Sequence, residues 1–192
     1  MYKNKKKGLF SLLLNRMFDD KLKNKKEFLL IIKEAKKNKF INKHTYYMIK
    51  GVINIEKKKV KDIMIPRIKI TKLKINDQLN TCLNKIIKSK HSRFPVISKN
   101  NTQVYGFLIA KDLFQFIKNS KKKFCLKNII RPAVIVPESQ RLDKILQEFR
   151  IKRNHIAIVV DEFGVITGLV TIEDVLETIL KNINHKNFCI KK

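Results

Sequence analysis

Tryptophan is absent from this 192-residue chain, and glycine (5), proline (4) and cysteine (3) are scarce. The cysteines, Cys82, Cys125 and Cys189, are odd in number, widely spaced and without a CxxC pair. That pattern argues against a disulfide framework and reads as free thiols in a reducing compartment. The histidines, His44, His91, His155 and His185, are scattered, with no HExxH and no metal-ligand spacing. No apolar run approaches the ~18 residues a membrane helix needs. The stretch GLFSLLL (8–14) follows basic residues as a signal peptide's core would. It is short, interrupted by Ser11, and followed by no small-residue cleavage site. The expectation is a cytoplasmic protein whose membrane contact, if any, is peripheral. No P-loop, Ser/His/Asp set or paired general acid and base is visible, so no enzyme is expected.

Acidic residues are also few, 16 against 44 Lys and Arg, for a formal net charge of +28. A field of that sign attracts nucleic acid, anionic lipid or acidic protein. Yet only seven of the basic residues are Arg, the side chain whose planar fork suits phosphate and base recognition. Abundant Lys, Ile, Asn and Phe beside scarce Gly, Pro and Trp is also what drift in an AT-rich genome produces. A polyanion-associated role, with RNA or the ribosome as partner, stands as the alternative function. The paucity of Arg and the lack of a basic–aromatic stripe count against it.

What is present divides in two. Residues 1–58 read as a basic helical arm, with Phe28, Leu29, Ile31, Ile32 and Ala35 on one broad face. From Val60 onward, short β-type runs alternate with helical ones. Residues 68–75 alternate as a half-buried strand does. Asp77 is an N-cap candidate for a helix burying Leu79, Leu83, Ile86 and Ile87. Strands are expected in RFPVIS, VYGFLIA, AVIVP, HIAIVV and VITGLV. The order repeats: Gly106 and Gly168, Asp112 and Asp174, and Ile117 and Ile179 each differ by 62 positions, and Pro66 and Pro132 by 66. Units of about 60 residues bury too little surface to stand alone, so two should pack together and create a cleft between like halves.

One segment, GLVTIEDVLE, carries the clearest candidate chemistry. Thr171 closes a strand and Asp174 lies in the first turn of the following helix. A hydroxyl there can bond a phosphate oxygen, and a carboxylate three residues on can accept from the two hydroxyls of a ribose. Gly168 would let a backbone approach a ligand closely. The plainer alternative is an N-cap and a carboxylate favouring the helix start. Arg93, before a buried strand, could pair with phosphates at the cleft mouth or form a surface ion pair. Pro66 fixes an extended turn and Ile65 offers an apolar wall for a base.

The repeated unit resembles a tandem cystathionine β-synthase (CBS) domain pair. The ordered set VKDIMIPR, HSRFPVIS, IVPES, HIAIVVDEFG and GLVTIEDVLE is similar to the CorC/HlyC family over residues 6–180. This implies an α+β (α/β-like) fold of two β-α-β-β-α units, 60–120 and 124–182, between the arm and a basic tail, 183–192. It implies an adenine-nucleotide-binding regulatory protein of magnesium and cobalt transport and efflux, not itself a channel. ATP or AMP, with Mg²⁺ arriving on the phosphates, would be held by Ile65, Pro66, Arg93, Gly168, Thr171 and Asp174. The implied partners are a magnesium/cobalt transport system at the inner membrane and a second copy, through the CBS domains. In the first unit Ile109 stands in the place of Thr171, so the cleft near Asp112 should be weak or empty. Family members usually continue into an acidic linker and a C-terminal domain, and that domain is expected to be missing from this chain.

Overall fold

A computed structural model describes residues 24–98, 100, 103–118 and 123–180. The tail at 183–192 and the segment at 8–14 lie outside them. The described chain forms two compact units, residues 24–54 with 179–180 and residues 55–178.

The arm contributes two helices, α1 (Lys25–Lys37) and α2 (Lys43–Asn54). Asn24 caps α1 by accepting from the backbone N–H groups of Lys26 and Glu27. The apolar face anticipated from the sequence is half-buried, whereas Leu30 on the other side is exposed. Lys36 places its ammonium 4.5 Å from the Tyr46 ring centroid, a cation–π contact between the two helices. Among the described residues no helix is long and apolar enough to cross a membrane.

The larger unit contains two small sheets. β2 (Leu73–Lys74), β3 (Arg93–Ile97) and β4 (Val104–Ile109) form one, in that order. β1 (Ile65–Pro66), β7 (Ile166–Thr171), β6 (Ile156–Val160) and β5 (Val134–Pro137) form the other. Each half is built the same way. A parallel pair, β2 with β3 or β5 with β6, is joined through a helix, and an antiparallel hairpin follows, β3–β4 or β6–β7. The helices in the connections are α3 (Leu79–Ser89) and α5 (Leu142–Ile151). Each hairpin carries a register shift at the matching place, Val96/Ile97 and Val159/Val160. Closing helices follow each hairpin: a 3₁₀ turn at Ala110–Leu113 leading into α4 (Phe114–Lys118), and α6 (Ile172–Leu180).

Alternation along the strands explains how the halves meet. Successive strand residues face opposite sides. Phe94 and Val96 of β3 enter the first half's core with Leu73, Cys82, Leu108 and Leu113, all without exposed surface. Each large apolar side chain so buried contributes roughly 1.5–3 kcal/mol. The opposite faces build a second cluster, in which Phe107 of β4 packs with Ile156, Ile158 and Leu169 of the second half. The sheets therefore face each other through an apolar seam.

Three local expectations are corrected. Residues 68–75 are not one strand. Arg67–Lys69 form a 3₁₀ turn, Ile68 is 92% exposed, and only Leu73–Lys74 pair. This segment leaves β1 in one sheet and enters β2 in the other, so no single ladder can hold it. Asp77 is not the N-cap of α3. Gln78 occupies that position, and the Asp77 carboxylate accepts from the Lys74 N–H and from Lys85 Nζ at 2.7 Å. Ile87 is 71% exposed, and Cys82 is fully buried in its stead.

Candidate functional site

Thr171 ends β7 and caps α6. Its hydroxyl donates to Asp174 Oδ2 at 2.6 Å, its backbone N–H donates to the same oxygen at 3.0 Å, and the Asp174 N–H donates back to the hydroxyl at 3.2 Å. This is a reciprocal capping box, with Thr at the cap and a carboxylate three residues later. The plainer alternative weighed for these two residues is therefore present. It does not use the whole carboxylate: Oδ1 accepts from no described protein group. Thr171 lies two residues beyond Leu169, so it shares the strand face that builds the seam. Both residues are half-buried.

The remaining sequence-chosen residues converge in part. Ile65 pairs with Leu169 and Pro66 with Gly168, which lays the entry segment of the first half along the edge of the second half's sheet. The docking extends upstream: the N–H groups of Val60 and Lys61 donate to the carbonyls of Gln140 and Glu138. The room left by Gly168 is filled by the chain itself. A Cβ there would sit 2.7 Å from both the Ile65 carbonyl oxygen and Met64 Sδ. Arg93 opens β3 opposite Ile109, two residues before Pro95 on the seam-facing side, and is half-buried. It forms no ion pair with another described residue, and no hydrogen bond joins it to Thr171 or Asp174. A narrow cleft of about 20 Å³ lies in the seam between Pro95, Ile97 and Val104 on one side and Ile158 and Ile166 on the other, with Arg67 and Lys72 also lining it. None of the sequence-chosen residues lines it.

Asp112 has a different environment. Arg131 Nη2 lies 3.0 Å from Asp112 Oδ2, with the Arg side chain 57% and the Asp side chain 21% exposed. The Arg131 backbone exchanges both hydrogen bonds with Phe107, at 2.8 and 2.9 Å, which makes it the counterpart of Ile65 on Leu169. Gly106 is the counterpart of Gly168, since a Cβ there would meet the Arg131 carbonyl. Ile109 supplies no side-chain cap to the turn it precedes. Arg131 escaped the sequence reading, although the spacing of Pro66 and Pro132 carried the signal: the residues before the two prolines are Ile65 and Arg131.

Elsewhere the chemistry is muted. No group of three or more His, Cys, Asp or Glu could hold a metal among the described residues. His155 Nδ1 lies 3.9 Å from Glu173 Oε1 at the surface. Burial pushes the Cys82 thiol up to about 11, helped by the neighbouring Asp77 carboxylate. Cys125 is exposed.

The CBS domain model matches this chain twice, over residues 60–119 and 126–181. Two curated relatives, each called "Magnesium and cobalt efflux protein CorC", come from Buchnera aphidicola. The protein of the Acyrthosiphon pisum subspecies is 55% identical over 93% of this chain and 61% of its own length. The protein of the Baizongia pistaciae subspecies is 52% identical over 97% of this chain and 68% of its own length. The chain thus spans about two thirds of the relatives it matches. Among solved structures, the CBS domain of the bacterial CNNM/CorC family Mg²⁺ transporter superposes with a TM-score of 0.76 at 31% identity, covering 83% of this chain and 97% of that one. The same domain in complex with ATP gives 0.65 at 34% identity, over 69% and 94%. A CBS-domain pair with bound AMP from Klebsiella pneumoniae gives 0.55 at 30% identity, over 64% and 98%.

Proposed function

The chain belongs to the CorC family of tandem CBS-domain proteins, and from that premise we propose that it is an adenine-nucleotide-binding regulatory module of a magnesium and cobalt transport system. The observation that carries this reading is the Thr171–Asp174 pair at the end of a seam-facing strand. One carboxylate oxygen is committed to the helix cap and the other is open to the vicinal hydroxyls of a ribose. Ile65, Pro66 and Gly168 form the edge beside it. Arg93, with no ion partner among the described residues, supplies a guanidinium for phosphate oxygens. Mg²⁺ enters with ATP, on the phosphates, because the described residues offer no carboxylate cluster of their own.

The module works by binding. A ligand that bridges residues of both halves changes their relative packing only to the extent that it binds one arrangement better than another. Contacts from β1, β3 and the β7–α6 junction meet that requirement, because they belong to segments from both sides of the seam. The readout is a transport system at the inner membrane, reached as a homodimer formed through the CBS domains. Isothermal titration of the full chain with ATP and AMP, with and without Mg²⁺, tests the site. Saturable heat that disappears in Asp174→Ala supports it. No heat in the wild type, or undiminished binding by Asp174→Ala, refutes it.

A further inference from the structure

We propose that Arg131 restricts this module to one nucleotide per chain: it stands as an internal counter-cation on Asp112 and closes the cleft related to the Thr171–Asp174 site by the internal repeat. The inference rests on the nucleotide reading above and adds which residue makes the two halves unequal.

The halves are matched closely enough for a position-by-position comparison. Ile65 pairs with Leu169 in one sheet, and Arg131 bridges to Phe107 in the other. Gly168 and Gly106 each lie against the crossing segment, Met64–Ile65 in one case and Arg131 in the other. The Ile172 N–H donates to the His155 carbonyl as the Ala110 N–H donates to that of Ser92. Against this shared frame Arg93, which pairs with Ile109, has the apolar Ile156, which pairs with Thr171, as its counterpart, and two positions beside the carboxylate also differ in chemistry. Thr171 has Ile109 as its counterpart, and Ile65 has Arg131.

The two differences act together. With Thr at the cap, the Asp174 carboxylate is satisfied on one oxygen by the chain's own hydroxyl and N–H, and no cation is needed beside it. With Ile at the cap, Asp112 has no such box, and a guanidinium arriving on the crossing segment takes its Oδ2 instead. Two consequences follow. The carboxylate that would accept from a ribose has its charge paired by a guanidinium on Oδ2, where Asp174 has only neutral donors, and the position that offers a slender apolar wall at Ile65 is filled by a long planar cation. A ligand entering there would have to displace an ion pair made within the protein.

The test is a titration of the full chain with Mg²⁺–ATP, scored by stoichiometry. The wild type is expected to bind one equivalent, and Asp174→Ala none. Ile109→Thr combined with Arg131→Ile copies the cap and the apolar wall of the open half onto the closed one, which keeps Ile156 in the place of Arg93. It is expected to bind two equivalents, and to restore one when added to Asp174→Ala. Ile109→Thr with Arg131→Lys keeps a cation on Asp112 and is expected to remain at one. Thermal melts verify that each variant is folded, as expected for an Arg side chain more than half exposed. A wild type that binds one equivalent while the triple variant binds none overturns the role of Arg131 and leaves the nucleotide function standing. A wild type that binds none while the triple variant binds one does the reverse. Wild-type binding of two equivalents, one of them lost in Asp112→Asn, also overturns the inference, because the cleft would already be open.

Discussion

Thr171 and Asp174 bond to each other three times across the β7–α6 junction, and the shortest of these bonds is the 2.6 Å contact from the hydroxyl to Oδ2. One pair of residues thus starts a helix and, in the proposed function, also receives the ribose. The two duties can be separated by substitution. Thr171→Ser keeps a hydroxyl and should preserve both folding stability and nucleotide binding. Thr171→Ala should lower stability by about 1 kcal/mol through loss of the cap, and weaken binding because Asp174 loses the bonds that orient it. Denaturant melts beside calorimetric titrations check this. Equal affinity in Thr171→Ala and the wild type would show that the box has no part in the site.

Arg93 should matter for binding and hardly at all for folding. It forms no ion pair with another described residue, so Arg93→Ala should change stability by no more than about 0.5 kcal/mol. If the guanidinium meets phosphates, the loss of affinity should be larger for ATP than for AMP, and larger at low salt than at high salt. An equal loss for both nucleotides would place Arg93 away from the terminal phosphates.

Gly168→Ala should destabilise by about 1–3 kcal/mol, the usual cost of forcing atoms into a filled space. Backbone lies in the way: the Ile65 carbonyl would be 2.7 Å from the new methyl, so the β1–β7 pairing must loosen. The expected signature is a lower thermal midpoint together with weaker nucleotide binding, because β1 forms the edge of the proposed site. A variant as stable as the wild type would mean that the crossing segment yields freely.

Cys82 and Cys125 should differ sharply toward an alkylating reagent. At pH 8 a thiol titrating at about 11 is thiolate to roughly one part in a thousand, and Cys82 is also sealed from solvent. Peptide mapping after brief treatment should find Cys125 modified and Cys82 intact. The same shift predicts a direction for alkaline stability. The folded state holds the neutral thiol, so this contribution is complete below the ordinary value of 9.0 and is lost as pH rises toward about 11. Rapid labelling of Cys82 in the folded protein would contradict its burial.

Much of this protein is legible in its sequence. The 62-residue offset between Gly106 and Gly168, and between Asp112 and Asp174, located two like halves, because the same backbone constraints recur in each copy. The β-branched and aromatic runs gave β3, β4, β5, β6 and β7 with small shifts at their ends. The run at 68–75 misled because its alternation is shared between two sheets, a division that a one-dimensional pattern does not display. Cys82 was overlooked as a core residue because a lone cysteine in a lysine-rich helix gives little signal, although its side chain has no exposed surface.

The residues themselves determined the local chemistry: a hydroxyl and a carboxylate three apart at a helix start, a glycine wherever another segment crosses, and apolar alternation that commits each strand to a face. These are short-range matters of backbone geometry and spacing, and they can be read in order along the chain. Tertiary structure alone decided what crosses each glycine, Met64 and Ile65 at one and Arg131 at the other, and hence that Asp112 carries its own cation while Asp174 has only the neutral donors of its helix cap. Those partners lie 19 to more than 100 positions apart. Their meeting depends on how the two sheets pack face to face, which burial of the whole seam determines.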